Sequence, residues 1–285
     1  EVFGPAEPGS GEEAPRVEAP AAPHPEAKLC LVLGPGMAKA LAEAAVLEAI
    51  RKAALPVHCV VGTEMGAVVA ALYSQAKGST NSLQWQLFKF NRDNYFNFPL
   101  LSLSDPRSSG KRLNSFLRNI FKGRKIEDMP IRFGTAASVP ERGDTVLFDR
   151  GDLVDALSAT LAMPGIFEPW ETGSGKLASG AVSSPYPLDL ARSLGGNFLV
   201  VIDVVEDSSG APREGNRFVQ AFAPVRNLTR LQRKEASFVI QVPAGQLPYD
   251  DFSRQGEILA AGAKAAEESV PELKAAWEKF SAAQR

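Results

Sequence analysis

Cysteine and histidine are scarce in this sequence. Among 285 residues there are two cysteines, Cys30 and Cys59, and two histidines, His24 and His58. Two cysteines are too few for a disulfide-built scaffold. Both lie in apolar runs that read as buried strands, so packed core thiols are expected. The histidines cannot join those cysteines in a zinc site at any usual spacing. His58 reads as a core or strand-edge side chain, and no metal or other cofactor is expected. No run approaches the ~18 apolar residues that a bilayer-spanning helix needs. An excess of either charge is also missing: 31 Lys and Arg face 33 Asp and Glu, for a net charge of −2. Nucleic-acid binding through phosphates is therefore not expected.

What is present fits a soluble globular chain. Hydrophobic residues make up 45% and charged residues 22%, which excludes wholesale disorder, a collagen-like chain and a coiled-coil rod. Residues 1–28 hold six Pro, six Ala and six Glu without apolar periodicity, and read as a disordered or extended linker. The chain opens on Glu1 rather than Met. A processed start followed by a Pro-rich tether leans towards a bacterial cell envelope, with the cytoplasm as the alternative. Residues 29–285 are expected to form one domain, since single α/β domains often run past ~200 residues.

From residue 28 the pattern changes. Residues 29–33 and 57–61 read as buried strands, each followed by a Gly-containing turn and an apolar helix, over 38–54 and 67–76. This βαβα order predicts an α/β fold, a three-layer α/β/α sandwich with a largely parallel central sheet. Further strands are expected over 131–139, 144–148, 198–204 and 238–242. Further helices are expected over 111–121, 153–163 and 217–236, and two C-terminal helices over 252–267 and 271–283, separated near Pro271.

Two glycine-rich turns do not read as phosphate loops. In Gly34-Pro35-Gly36-Met37-Ala38-Lys39, Lys39 stands where the dinucleotide fingerprint needs a third small residue. In the turn ending Gly173-Ser174-Gly175-Lys176, Trp170 takes the place of the first glycine of a P-loop, so a hairpin is expected.

Three segments gain meaning together. Residues 28–50 read KLCLVLGPGMAKALAEAAVLEAI, 60–67 read VVGTEMGA, and 155–187 contain ALSATLAMPGIFEPW and then KLASGAVSSPYP. Their order and spacing resemble the patatin-like phospholipase family over roughly residues 28–277. That family carries a Gly-rich loop after the first strand, a G-x-S-x-G elbow after the second, and a later Asp-Gly-Gly or Asp-Gly-Ala. The resemblance implies a serine nucleophile at the elbow, an aspartate base in the later motif, and loop N–H groups that stabilise the oxyanion.

Residue by residue, this chemistry is missing. The nucleophile position is Glu64, which has no hydroxyl, and the base position is Ser179, which has no carboxylate. In the oxyanion loop Gly34, Pro35, Gly36, Met37, Pro35 has no N–H and Met37 replaces a glycine. Lys39 stands for the usual Arg and Ala40 for a Gly. The expectation is a pseudoenzyme that binds or scaffolds. The alternative is an unconventional lipid acyl hydrolase or esterase using Glu64 or another residue.

The aromatic stretch 83–103 has two readings, a cover over the core or a docking surface. Trp85, Phe88, Tyr95, Phe96 and Phe98 are the candidates for a surface that meets a protein partner or a membrane. A retained lipid ligand also stays open.

Overall fold

The first apolar run forms strand β1 (Leu29–Leu33), buried on both faces. Its side chains alternate: Leu29, Leu31 and Leu33 enter the larger core, and Cys30 and Val32 enter a smaller one behind the sheet. The protein is described here from a computed structural model covering residues 26–98, 107–173, 175–205, 216–244 and 247–284. Most of the expected linker, and residues 99–103 of the aromatic stretch, lie outside the described residues.

β1 pairs in parallel with β2 (Val57–Gly62) on one side and β7 (Phe198–Asp203) on the other. β3 (Arg132–Ser138) and β8 (Phe238–Gln241) extend the parallel set outward. Three short strands add antiparallel pairings at the β3 side: β4 (Thr145–Phe148), β5 (Trp170–Thr172) and β6 (Gly175–Ser179). The path through the sheet is β5-β6-β3-β2-β1-β7-β8, with β4 on β3. The hairpin expected at the 173–176 turn is the β5–β6 pair.

Helices cover both faces, giving a mixed α/β fold with a flanked central sheet. The larger core gathers α1 (Glu43–Lys52), α2 (Glu64–Gln75), α6 (Leu153–Leu161) and α9 (Gln255–Ala283). The smaller core holds Leu188 and Leu190 of α7 (Leu188–Ser193). α3 (Thr80–Leu87), α4 (Arg92–Tyr95), α5 (Lys111–Phe121) and α8 (Arg217–Gln232) complete the described helices. None of the described helices is long and apolar enough to cross a membrane.

Three expectations need correction. Cys30 and Cys59 are not free thiols but a disulfide. They are register partners on adjacent strands, with Cα atoms 4.6 Å apart, so their side chains leave the sheet on the same face. Counting cysteines excluded a scaffold, but it could not exclude one link. The C-terminal region is one helix, with Pro271 inside it. Ala265 and Ala266 before the proline, and Val270, Leu273 and Trp277 around and after it, are all buried. Packing on both sides outweighs the ~3 kcal/mol cost of an interior proline. The first helix also starts differently: Met37–Ala42 is 3₁₀ before α1 begins. α9 crosses this turn so closely that a Cβ on Gly262 would lie 2.1 Å from the Ala42 carbonyl oxygen.

Candidate functional site: a carboxylate on the loop N–H groups

The site forms where β1 and β2 end side by side. After β1 the chain turns through Gly34, Pro35 and Gly36. After β2, Thr63 is extended and Glu64 opens α2 with φ 53°, a left-handed conformation uncommon for any residue but glycine, asparagine and aspartate. The strained elbow therefore persists without a serine. Its flanking glycines are required sterically. A Cβ on Gly62 would lie 2.9 Å from the Ala67 nitrogen, and one on Gly66 would lie 2.2 Å from the Gly34 carbonyl oxygen. This close approach sets the first turn of α2 against the loop after β1.

Glu64 is fully buried, and its carboxylate turns onto that loop. Its Oε2 accepts hydrogen bonds from the N–H of Gly36 at 2.9 Å and of Met37 at 2.7 Å. Its Oε1 accepts from the Tyr95 hydroxyl at 2.5 Å. The Glu64 N–H donates to Thr160 Oγ1 at 3.0 Å, which ties the elbow to α6. Burial pushes the Glu64 carboxyl above its ordinary range, and the Tyr95 hydroxyl and the loop N–H groups oppose that rise. Tyr95 is held well above the usual phenol range, first by burial and then by the facing Glu64 carboxylate.

The loop is less disrupted than the sequence suggests. Pro35 has no N–H to offer, but the N–H groups of Gly36 and Met37 converge on one oxygen. Met37 supplies one of the two donors, and its side chain joins the larger core. Its φ is 48°, in the left-handed region. Lys39 is buried, with its ammonium 4.2 Å from the centre of the Tyr249 ring.

Ser179 ends β6, opposite Ala137 of β3, at the same end of the sheet as the elbow. Its Oγ accepts from the Ala181 N–H at 3.2 Å and caps a short 3₁₀ turn. The following glycine is again obligatory, because a Cβ on Gly180 would lie 2.2 Å from the Ala136 carbonyl oxygen. Among the described residues, no hydrogen bond links Ser179 to Glu64. The structure keeps the backbone of both motifs and places neither a hydroxyl nucleophile at the elbow nor a carboxylate base at 179.

A second buried acid shares the loop. Glu43 is fully buried and accepts the Gly34 N–H on Oε1 at 2.8 Å, while Oε2 has no partner. Burial holds its carboxyl well above the ordinary range, and the nearby Glu64 and Asp203 push the same way. The signal for it was an acid at the start of an Ala- and Leu-rich helix. Thr160, the other residue not anticipated, lies inside the SATLAMPGIF phrase.

The aromatic stretch divides. Trp85 is 67% exposed and Phe88 55% exposed. Tyr95 and Phe96 are buried, and Phe98 is half-buried with its ring stacked 5.1 Å from Phe96. Tyr95, Phe96 and Phe98 are thus corrected from docking surface to core cover. The reason is local: the Asn91–Asn94 capping box starts the single turn of α4, which carries Tyr95 inward to Glu64.

Comparison with known proteins agrees with this geometry. A family model described as patatin-like phospholipase matches residues 31–192, which include both motifs. An uncharacterized NTE family protein of Mycobacterium tuberculosis is 26% identical over 200 residues, covering 68% of this chain and 54% of its own length. The mouse patatin-like phospholipase domain-containing protein 7 is 28% identical over 187 residues, covering 62% of this chain and 13% of its own. The chain thus spans about half the length, or less, of these curated relatives. Among solved structures, VipD from Legionella pneumophila shares the fold with a TM-score of 0.50 at 10% identity, over 85% of this chain and 66% of that one. With the family match covering more than half of its residues and the elbow, loop and Gly180 backbone in place, the chain belongs to the patatin-like phospholipase family.

Proposed function

We propose that this protein is a catalytically inactive member of its family that acts by binding, as a partner or scaffold. One observation carries the reading: the Glu64 carboxylate occupies the two loop N–H donors from the position a nucleophile would take. An oxyanion forming on a substrate needs those donors, and a resident anion both fills them and repels a second negative charge. Glu64 is a poor nucleophile in its own right, because it is fully buried and its carboxylate accepts three hydrogen bonds. Ser179 offers no carboxylate to activate a hydroxyl or a water. With the old chemistry absent, the packed α/β framework remains able to present a surface, and the exposed pair Trp85 and Phe88 is its candidate contact.

The test combines a fluorophosphonate probe with turnover of a short-chain nitrophenyl ester. Neither stoichiometric labelling nor steady turnover is expected. Stoichiometric labelling of one serine together with sustained hydrolysis would favour an unconventional acyl hydrolase instead.

A further inference from the structure

One of the two exposed aromatics, Phe88, borders a groove. Phe88 lines an open depression of about 890 Å³ between the 88–93 segment and the 248–256 segment, and Trp85 stands one helical turn earlier on the same side. Phe90 and Phe252 form apolar parts of its wall. Its charged lining is unequal: Asp93, Asp250 and Asp251 face one base, Arg92. Arg92 is engaged by the Asp250 carboxylate, and Asp251 caps the short turn at Ser253. Among the described residues, the exposed Asp93 carboxylate has no bonded partner. Lys89 lies outside the lining, 5.7 Å from the centre of the Trp85 ring.

Aromatic anchors beside an acidic wall select one kind of occupant. An anionic membrane surface would gain from Trp85 and Phe88 but would meet repulsion from Asp93 and Asp251, the carboxylates that Arg92 does not offset. A cationic, partly apolar segment satisfies both features. We propose that this groove docks a segment of another protein carrying Lys or Arg beside a large apolar residue. The apolar side chain packs on Phe88 and Trp85, and the cation lies against Asp93 and Asp251. This refines the binding reading above and rests on it.

The test is selection from a random-peptide phage library on the intact protein. Enrichment of Lys or Arg within two or three positions of Leu, Met or an aromatic residue is expected. A selected peptide, followed by fluorescence polarisation, should weaken about ten-fold or more with Phe88→Ser. It should also weaken with Asp93→Asn, and with rising salt. Phe88 and Asp93 are exposed, so both variants should keep the wild-type melting temperature; Trp85→Ser provides a second aromatic probe if Phe88→Ser does not. No enrichment, enrichment of acidic peptides, or sedimentation with phosphatidylglycerol vesicles that Phe88→Ser abolishes would overturn the proposal. The same preparation is assayed with fluorophosphonate. Labelling with turnover would end the inactive reading while leaving the groove intact, whereas failed peptide selection would end only the groove.

Discussion

The Tyr95 hydroxyl donates to Glu64 Oε1 at 2.5 Å, so a residue of the aromatic cover fixes the residue at the elbow. Both side chains are fully buried. Through Glu64 the contact continues to the N–H groups of Gly36 and Met37. One carboxylate thus joins the end of β1, the start of α2 and the turn of α4.

Removing that carboxylate should be costly and chemically repairable. Glu64→Ala leaves two loop N–H donors and a phenol without their acceptor, with an expected loss of about 3 kcal/mol or more. Formate carries the same carboxylate and can accept from the same donors. It should raise the melting temperature of Glu64→Ala in a concentration-dependent way and leave the wild type unchanged. Thermal melts across a formate series read this directly, and equal shifts for both proteins would contradict the assignment.

Tyr95→Phe should destabilise the protein by about 1–3 kcal/mol, the range for a lost bond to a buried polar group. In a double-mutant cycle with Glu64→Gln, urea unfolding should show a coupling of about 0.5–3 kcal/mol. Additive effects would mean that the two side chains do not share a bond in solution.

Glu43 gives a pH dependence of defined sign. Burial raises its folded-state pKa, so the folded state favours the protonated form. Its contribution is fully present below the unfolded value of about 4.3 and is lost as pH rises through the higher folded value. Glu43→Gln keeps a neutral group in place. It should therefore reduce the fall of stability with rising pH, and the gap from wild type should widen towards alkaline pH. Glu64, shifted the same way, keeps part of the slope in the variant. Urea titrations from acid to alkaline pH measure it.

Installing the family's serine and aspartate at positions 64 and 179 should not by itself produce ester hydrolysis. Glu64→Ser with Ser179→Asp supplies a hydroxyl and a carboxylate, but positions 64 and 179 are both fully buried, under Tyr95 on the elbow side. Pro35 still contributes no N–H, so the loop offers only the Gly36 and Met37 donors, and each further oxyanion donor is worth about 10²–10³ in rate. Ester hydrolysis by the double variant is expected to stay near background.

The Cys30–Cys59 link closes a separation of 29 residues, and the chain-entropy relation gives it about 3–4 kcal/mol. Replacing both cysteines by Ala should lower stability on that scale. Alkylation of denatured, unreduced protein should find no free thiol at either position, and intact-mass measurement checks both.

Local chemistry made much of this protein legible from its residues alone. Short apolar runs ending in glycine turns predicted β1, β2 and the helices after them, because a strand buried on both faces needs little else. The glycines of the elbow and of Ser179-Gly180 were visible as turn and motif residues, and the structure adds that the backbone is crowded at 62, 66 and 180. The absence of a serine at 64 and an aspartate at 179 was likewise visible in the sequence, since it depends on side-chain identity and not on position. What required tertiary structure was every pairing between distant groups. Tyr95 lies 31 positions from Glu64, and as one aromatic in a rich stretch it stood among the docking-surface candidates until the turn of α4 faced it inward. The two cysteines became partners only through the β1–β2 register. Pro271 stayed inside a helix because core contacts on both sides outweigh a local preference to stop. Propensity and motif act over a few residues, whereas burial and hydrogen bonding at this site are decided by which segments the sheet brings together.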